Sequence, residues 1–183
     1  MAIPYIPSKQ TAIVANAVGD LVVSRDVPLP ELEPDMLLVK TAAVAVNPVD
    51  AKLTGHMASE GAIAGGDCAG IVVAVGSGVP AGRFAIGDRV CAAVPSMDPI
   101  SPRIGAFAEY VGATADFALK VPEQMTLESA ATLGIGLATI GYALFQSLKV
   151  TKHPNQPVEK PCYVLVYRGS TASGTMAIQL LRK

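Results

Sequence analysis

Over its first two thirds the chain sets short apolar runs between glycine- and proline-marked turns, and helical spacing appears only beyond Thr126. Thr11–Val14 and Leu21–Ser24 are β-rich runs flanking the turn signal Asn16–Asp20, which predicts a hairpin. Pro28–Pro34 carries three prolines, so it is read as an extended connector. Met36–Asn47 is the longest strand candidate. Asn47-Pro48-Val49-Asp50-Ala51-Lys52 then reads as a turn into a short helix, with Pro48 at its first position and Asn47 as its cap. Ile71–Val75, Ile86–Ala93, the period-two run Gly105–Val111 and Phe117–Val121 are further strands. Short strands at this spacing predict a small barrel.

From Thr126 the pattern changes. Thr126 stands at a helix N-cap with Ser129 at its third position; the helix runs to Leu133, Gly134-Ile-Gly136 interrupts it, and a second piece covers about Leu137–Leu148. Thr151–Lys160 is polar and reads as a linker. Tyr163–Tyr167 is an apolar run of the kind that forms buried parallel strands. The small residues of Arg168–Gly174 follow, and then Met176, Ala177, Leu180 and Leu181 share one helical face. Strand, small-residue turn and helix open a dinucleotide-binding unit, whose helix N-terminus receives a phosphate. Gly169 and Gly174 supply the outer glycines of G-x-G-x-x-G, with Thr171 at the middle one. The residue that selects the cofactor's ribose stands about 20 positions beyond those glycines, past Lys183. The expectation is a fragment or a shortened form of a larger protein, its last strand lacking parallel neighbours.

Composition narrows the classes. With 51% apolar and 16% charged residues the chain builds a core, and a net charge of -1 gives no electrostatic case for nucleic acid or an anionic membrane. No uninterrupted apolar run of about 18 residues occurs, so no membrane span is expected. The N-terminus lacks the pattern of a signal peptide. Cys68, Cys91 and Cys162 are odd in number and widely spaced, consistent with reduced thiols in a cytoplasmic protein.

Several motifs stand in register: Asn47-Pro48-x-Asp50, Gly87-Asp88-Arg89-Val90, Gly105-Ala-Phe-Ala-Glu-Tyr110, Ala130-Ala-Thr-Leu-Gly134 and the last glycine turn. Together they resemble the medium-chain dehydrogenase/reductase superfamily, in its quinone-oxidoreductase branch. Val164-Leu-Val-Tyr-x-Gly-Ser-Thr-Ala-x-Gly174, Gly66-Asp-Cys-Ala-Gly70 and Ile6-Pro-x-x-Gln10 are similar, more narrowly, to fungal trans-acting enoyl reductases that serve polyketide synthases. The resemblance implies a mixed α/β fold: a GroES-like β-barrel over residues 1–125, then, over 126–183, a helical connection and the start of a Rossmann domain. NADPH and substrate would lie between the two.

The same resemblance assigns roles. Val49, Asp50, Ala51 and Lys52 would meet the cofactor, and Ser170, Thr171, Ala172 and Ser173 its phosphate. Lys52 and Thr139 would orient the reacting groups. Ile140, Gly141, Tyr142, Ala143, Leu144, Phe145, Gln146 and Ser147 would line the substrate. The substrate would be an acyl-carrier-bound polyketide intermediate on its synthase. Arg168 departs from the family, which usually has glycine there. No metal is expected: zinc needs three or four converging ligands, whereas Asn47 and Gly65-Gly66-Asp67 stand where the zinc enzymes have a cysteine and Gly-His-Glu, and His56 and His153 are far apart. A non-catalytic binding module and a zinc-independent quinone oxidoreductase are the alternatives.

Overall fold

Backbone pairing turns the β-rich runs into seven strands among the described residues, which in this computed structural model are 5–150 and 163–182. The Thr151–Lys160 linker, His153 and Cys162 lie outside them. The chain divides into two units, Met1–Gly134 and Ile135–Lys183.

In the first unit β1 (Lys9–Ala15) and β2 (Leu21–Pro28) form the expected hairpin. Its turn is fixed by Asn16, whose side-chain oxygen accepts from the N–H of Val18 at 3.0 Å and of Asp20 at 2.9 Å. β3 (Met36–Ala45), β4 (Asp67–Val75), β5 (Arg89–Ala93), β6 (Tyr110–Thr114) and β7 (Ala118–Lys120) make a five-stranded antiparallel sheet in the order β6-β3-β4-β5-β7. Leu37, Val39, Val72, Val90 and Val111 are fully buried and form its core.

Gly105–Val111 was expected to be one strand, but the ladder begins only at Tyr110. The preceding residues divide their backbone groups between two neighbours. Ala106 and Phe107 donate to the carbonyls of Gly65 and Ala64 at 2.8 and 2.9 Å, while the Phe107 carbonyl accepts from Ile13 at 2.8 Å. With the bridge Ala12↔Ala108, this crossing ties the hairpin to the rest of the unit.

The Gly87–Val90 motif is a corner. Gly87 has φ +93°, and Asp88 accepts from the Ala85 N–H at 2.9 Å and from the Lys120 ammonium at 2.8 Å. Arg89 donates to the carbonyls of Pro122, Glu123 and Met125. Val90 fills the core.

Helix α1 (Pro48–Lys52) follows β3. Helix α2 (Leu127–Ala131) starts at Thr126, whose hydroxyl accepts from the Ser129 N–H at 3.2 Å, and buries Ala130 and Ala131 against Ala69, Cys91 and Val121. The interruption expected at Gly134–Gly136 falls earlier, at Thr132–Leu133. There the N–H groups of Thr132 and Leu133 reach back three residues, to Ser129 and Ala130, and close the helix. Gly134 has a different task. A Cβ on it would stand 2.5 Å from Asp67 Oδ1 and 2.7 Å from the Ala92 carbonyl oxygen, so close approach demands glycine.

Helix α3 (Gly134–Gly141) continues as a π-helical segment, Tyr142–Ser147, in which the Leu148 N–H donates to the Ala143 carbonyl at 2.9 Å. By length and composition alone Leu127–Ser147, with mean hydropathy 1.3, is sufficient to cross a bilayer. In the fold it is broken at Thr132–Leu133, and its first piece is covered by the sheet.

Within the second unit α4 (Ala172–Leu181) buries Gly174 and Ala177, on the face that also carries Leu181, and Met176 abuts Gly136. The strand expected at Tyr163–Tyr167 does not form: Tyr163–Val166 joins no ladder and Leu165 is 92% exposed. Apolar β-branched composition favours a strand only where a neighbour pairs with it, and no described strand lies alongside.

Candidate functional site

Unit one builds the Asn47–Lys52 corner from three polar residues. Pro48 sits at the first helical position with its fixed φ, as the sequence suggests. Asn47 occupies the N-cap, as expected. Its side-chain amide also donates to Asp67 Oδ2 at 2.8 Å. Asp50, at the third helical position, closes the turn: its Oδ2 accepts from the Asn47 N–H at 2.7 Å, and its N–H donates to the Asn47 carbonyl at 3.0 Å. Asp50 and Asp67 are both buried, at 5% and 1% exposure, and Asp50 Oδ1 has no hydrogen-bond partner among the described residues. Val49, Ala51 and Lys52 are exposed beside them. Asp50 is therefore the buried anchor of this turn, and Lys52 presents its ammonium to solvent from the last position of the helix.

Asp67 escaped sequence reasoning. The available signal was a carboxylate opening a glycine-flanked run that is otherwise apolar, Gly66-Asp67-Cys68-Ala69-Gly70, because an acidic residue within a buried strand needs a dedicated donor. Burial first, and the Asp67 charge second, push the Cys68 thiol up to about 12, and Cys91 is raised by the same two causes. Both thiols are free and buried, and a raised pKa keeps them in the less nucleophilic protonated form.

Unit two holds the other predicted residues. The turn Arg168–Thr171 leads into α4, and Thr171 caps it: its hydroxyl donates to the Arg168 carbonyl at 3.0 Å and accepts from the Gly174 N–H at 3.1 Å. That hydroxyl is thus committed to the fold. Ser170 and Ala172 are exposed and Ser173 half-buried. The N–H groups of a helix's first turn have no intrahelical acceptor; here the Thr171 hydroxyl takes that of Gly174, which leaves those of Ala172 and Ser173, among small residues. The turn fits a phosphate in this respect. Arg168 takes φ +58°, the left-handed region that favours glycine, and its guanidinium lies 5.7 Å from the Tyr167 ring centroid. A Cβ on Gly174 would stand 2.5 Å from the Arg168 carbonyl oxygen, so this glycine is set by the tightness of the turn.

Thr139 is exposed on α3. In the segment Ile140–Ser147, Ile140 and Leu144 are buried one turn apart, whereas Tyr142, Ala143, Phe145, Gln146 and Ser147 face outward and Gly141 is half-buried. An apolar groove of about 560 Å³ in unit one lies beside Ile13, Val23, Thr41, Val46 and Phe107, and none of the predicted residues lines it. Among the described residues no group of three or more His, Cys, Asp or Glu side chains converges to hold a metal. His56 is exposed in a short 3₁₀ turn.

Residues 33–123 match the alcohol dehydrogenase GroES-like domain. The chain is 54% identical, over 97% of its length, to trans-enoyl reductase FSL5 of Gibberella zeae and covers 50% of that protein. It is 50% identical, over 99% of its length, to trans-enoyl reductase caaB of Aspergillus niger and covers 51% of it. The chain thus spans about half the length of the curated relatives it matches. Among solved structures, an alcohol dehydrogenase superfamily protein from Novosphingobium aromaticivorans superposes with a TM-score of 0.75 at 26% identity, over 95% of this chain and 50% of that one. A mycobacterial protein, Rv1454c, solved in complex with NADPH, gives 0.61 at 29% identity over 79% of this chain and 43% of that one.

Proposed function

This chain belongs to the medium-chain dehydrogenase/reductase superfamily, and from that premise we propose that it acts as a trans-acting, NADPH-dependent enoyl reductase on carrier-bound polyketide intermediates. The observation that carries the reading is the near-half identity to trans-enoyl reductases across almost the entire chain. Residues 1–125 are the GroES-like domain in this reading, and 126–183 the helical connection and first strand, turn and helix of the NADP-binding domain. The chemistry that bound NADPH would supply is a hydride for Cβ of the α,β-double bond, with a proton delivered to Cα. The protein's own contribution is position. In this reading Val49–Lys52 would hold the cofactor, Lys52 offering a donor to it; the α4 N-terminus with Ser170–Ser173 would take a phosphate; Thr139 would offer a donor to a carbonyl, and Ile140–Ser147 would meet the acyl chain. The partner is the acyl carrier of a polyketide synthase, and the compartment is the cytoplasm.

A second reading, a binding module without catalysis, is favoured by one observation: the apolar run Tyr163–Tyr167 is exposed and unpaired by any described strand. Titration of the 183-residue chain with NADPH, following cofactor fluorescence and thermal unfolding together, separates the two. Saturable binding with a raised midpoint supports the reductase. A flat titration on folded protein supports the binding module. Oxidation of NADPH dependent on an enoyl thioester, and absent with free quinones, distinguishes the reductase from a quinone oxidoreductase.

A further inference from the structure

Helix α1 has little to hold it. It is five residues long, shorter than a helix that persists unaided, and Asp50 is its one buried residue. Pro48, Val49, Ala51 and Lys52 face solvent. Every polar tie that the described residues make from this turn to the sheet passes through Asn47. Its backbone is closed onto Asp50 in both directions, and its side-chain amide reaches Asp67 at the start of β4. Asp67 is itself enclosed: it is 1% exposed and packed so closely against Gly134 that no Cβ fits there. A carboxylate in that setting requires donors, and the Asn47 amide is one that only an amide side chain of this length delivers while leaving its own N–H for Asp50.

We propose that Asn47 is a positioning residue, its amide latching α1 to the buried Asp67 and so fixing where the Lys52 ammonium stands. This rests on the reading of Lys52 as a cofactor contact for its consequence, though the latch itself does not. Removing the amide frees the turn locally, and Lys52 then loses its fixed place even though its own side chain is intact.

The test has two arms. The first needs no cofactor. Amide hydrogen exchange is measured by NMR on the 183-residue chain and on Asn47→Leu, with Asn47→Ser as the milder variant should the first not fold. The Asp50 and Leu53 N–H groups, which donate within the turn to Asn47 and Val49, are expected to exchange at least tenfold faster, while Val72 and Val121, bonded to Asp88 and Arg89, change much less. An equal acceleration throughout, or none in the turn, overturns the latch. The second arm is a double-mutant cycle on NADPH affinity. Lys52→Ala is expected to weaken binding about tenfold in the wild-type background and less than twofold in Asn47→Leu. Equal factors in the two backgrounds overturn the positioning role. Absence of NADPH binding by the wild-type chain sinks the cofactor reading and leaves the first arm to decide the latch.

Discussion

The Arg89 guanidinium lies 2.6 Å from the Met125 carbonyl oxygen, thirty-six residues away, and the same group also donates to Pro122 and Glu123. One planar fork therefore closes the loop between β7 and α2. Arg89→Leu removes the guanidinium from three carbonyls, of which Pro122 keeps the Met125 N–H, and a lost charged hydrogen bond costs roughly 1.5–3 kcal/mol. The midpoint of thermal unfolding should fall by about 3–12 °C for a chain of this size. Arg89→Lys should recover little, since an ammonium cannot span the fork's contacts. A midpoint within 1 °C of wild type in Arg89→Leu, about the limit of such a comparison, would remove this corner from the account.

Gly134 has no room for a side chain. Gly134→Ala places a methyl 2.5 Å from Asp67 Oδ1 and 2.7 Å from the Ala92 carbonyl oxygen, and overpacking of this kind costs about 1–3 kcal/mol. Gly141→Ala, where nothing stands within 4 Å of the added carbon, should be neutral or stabilising by up to about 1 kcal/mol. Chemical denaturation of the two variants side by side makes the comparison. Equal effects would contradict the packing.

Cys68 makes stability fall in alkali. Its thiol ordinarily titrates at 9.0 and is pushed up to about 12 by burial and by the Asp67 charge. The unfolded chain releases this proton first, so the folded state is fully favoured below pH 9.0 and loses ground from there towards pH 12. The slope is at most about 1.4 kcal/mol per pH unit for this one group. Cys68→Ala should flatten the fall after correction for the other titrating groups, and Cys68 should resist alkylation at pH 8 until the chain unfolds.

Asp88 acts at the other end of the scale. The Lys120 ammonium and then the Ala85 N–H hold its carboxyl below the ordinary 3.8. The stability this adds is complete above that value and is lost as pH falls through the lowered folded one. Acid titration of Asp88→Asn, monitored by circular dichroism, should show a shallower loss below about pH 4 than wild type. Matching curves would mean that the corner does not depend on this charge.

Arg168 occupies a conformation that costs a non-glycine residue about 1–2 kcal/mol, whereas glycine gives up about 0.4–1 kcal/mol through its freer unfolded chain. The first term is the larger. Arg168→Gly should stabilise the α4 turn by a few tenths to about 1 kcal/mol, less the small contribution of the Arg168–Tyr167 contact. Slower amide exchange at Gly174 would register it, and faster exchange would refute it.

The first unit was largely legible because its signals are local. Asn16, Pro48 and Thr126 each dictate a turn or a helix start by their own chemistry, and each is found in that role, whereas Gly87, read within a strand, is a corner. Reading failed where a residue's conformation is set by something distant. Gly105–Glu109 has strand composition but serves two neighbours at once. Tyr163–Tyr167 has strand composition and no ladder. Gly134 looks like a helix breaker but is a point of contact with Asp67. At the corner, a motif drew attention to Lys52 and Asp50, while the Asn47–Asp67 pair, twenty positions apart, had no local signature.

The crossing at Phe107–Tyr110 also constrains the order of assembly. Thr11 donates to the Glu109 carboxylate at 2.7 Å and Tyr110 to the buried side chain of Gln10 at 2.7 Å, across 98 and 100 positions of chain. The hairpin closes within microseconds on its own. On the ribosome, at about 5–20 residues per second, roughly 5–20 seconds then pass before its docking groove has been synthesised. During that interval Gln10, Ala12 and Ala15, which the finished fold buries, stay uncovered. The hairpin Lys9–Pro28 is thus the earliest structure to form and among the last to be secured.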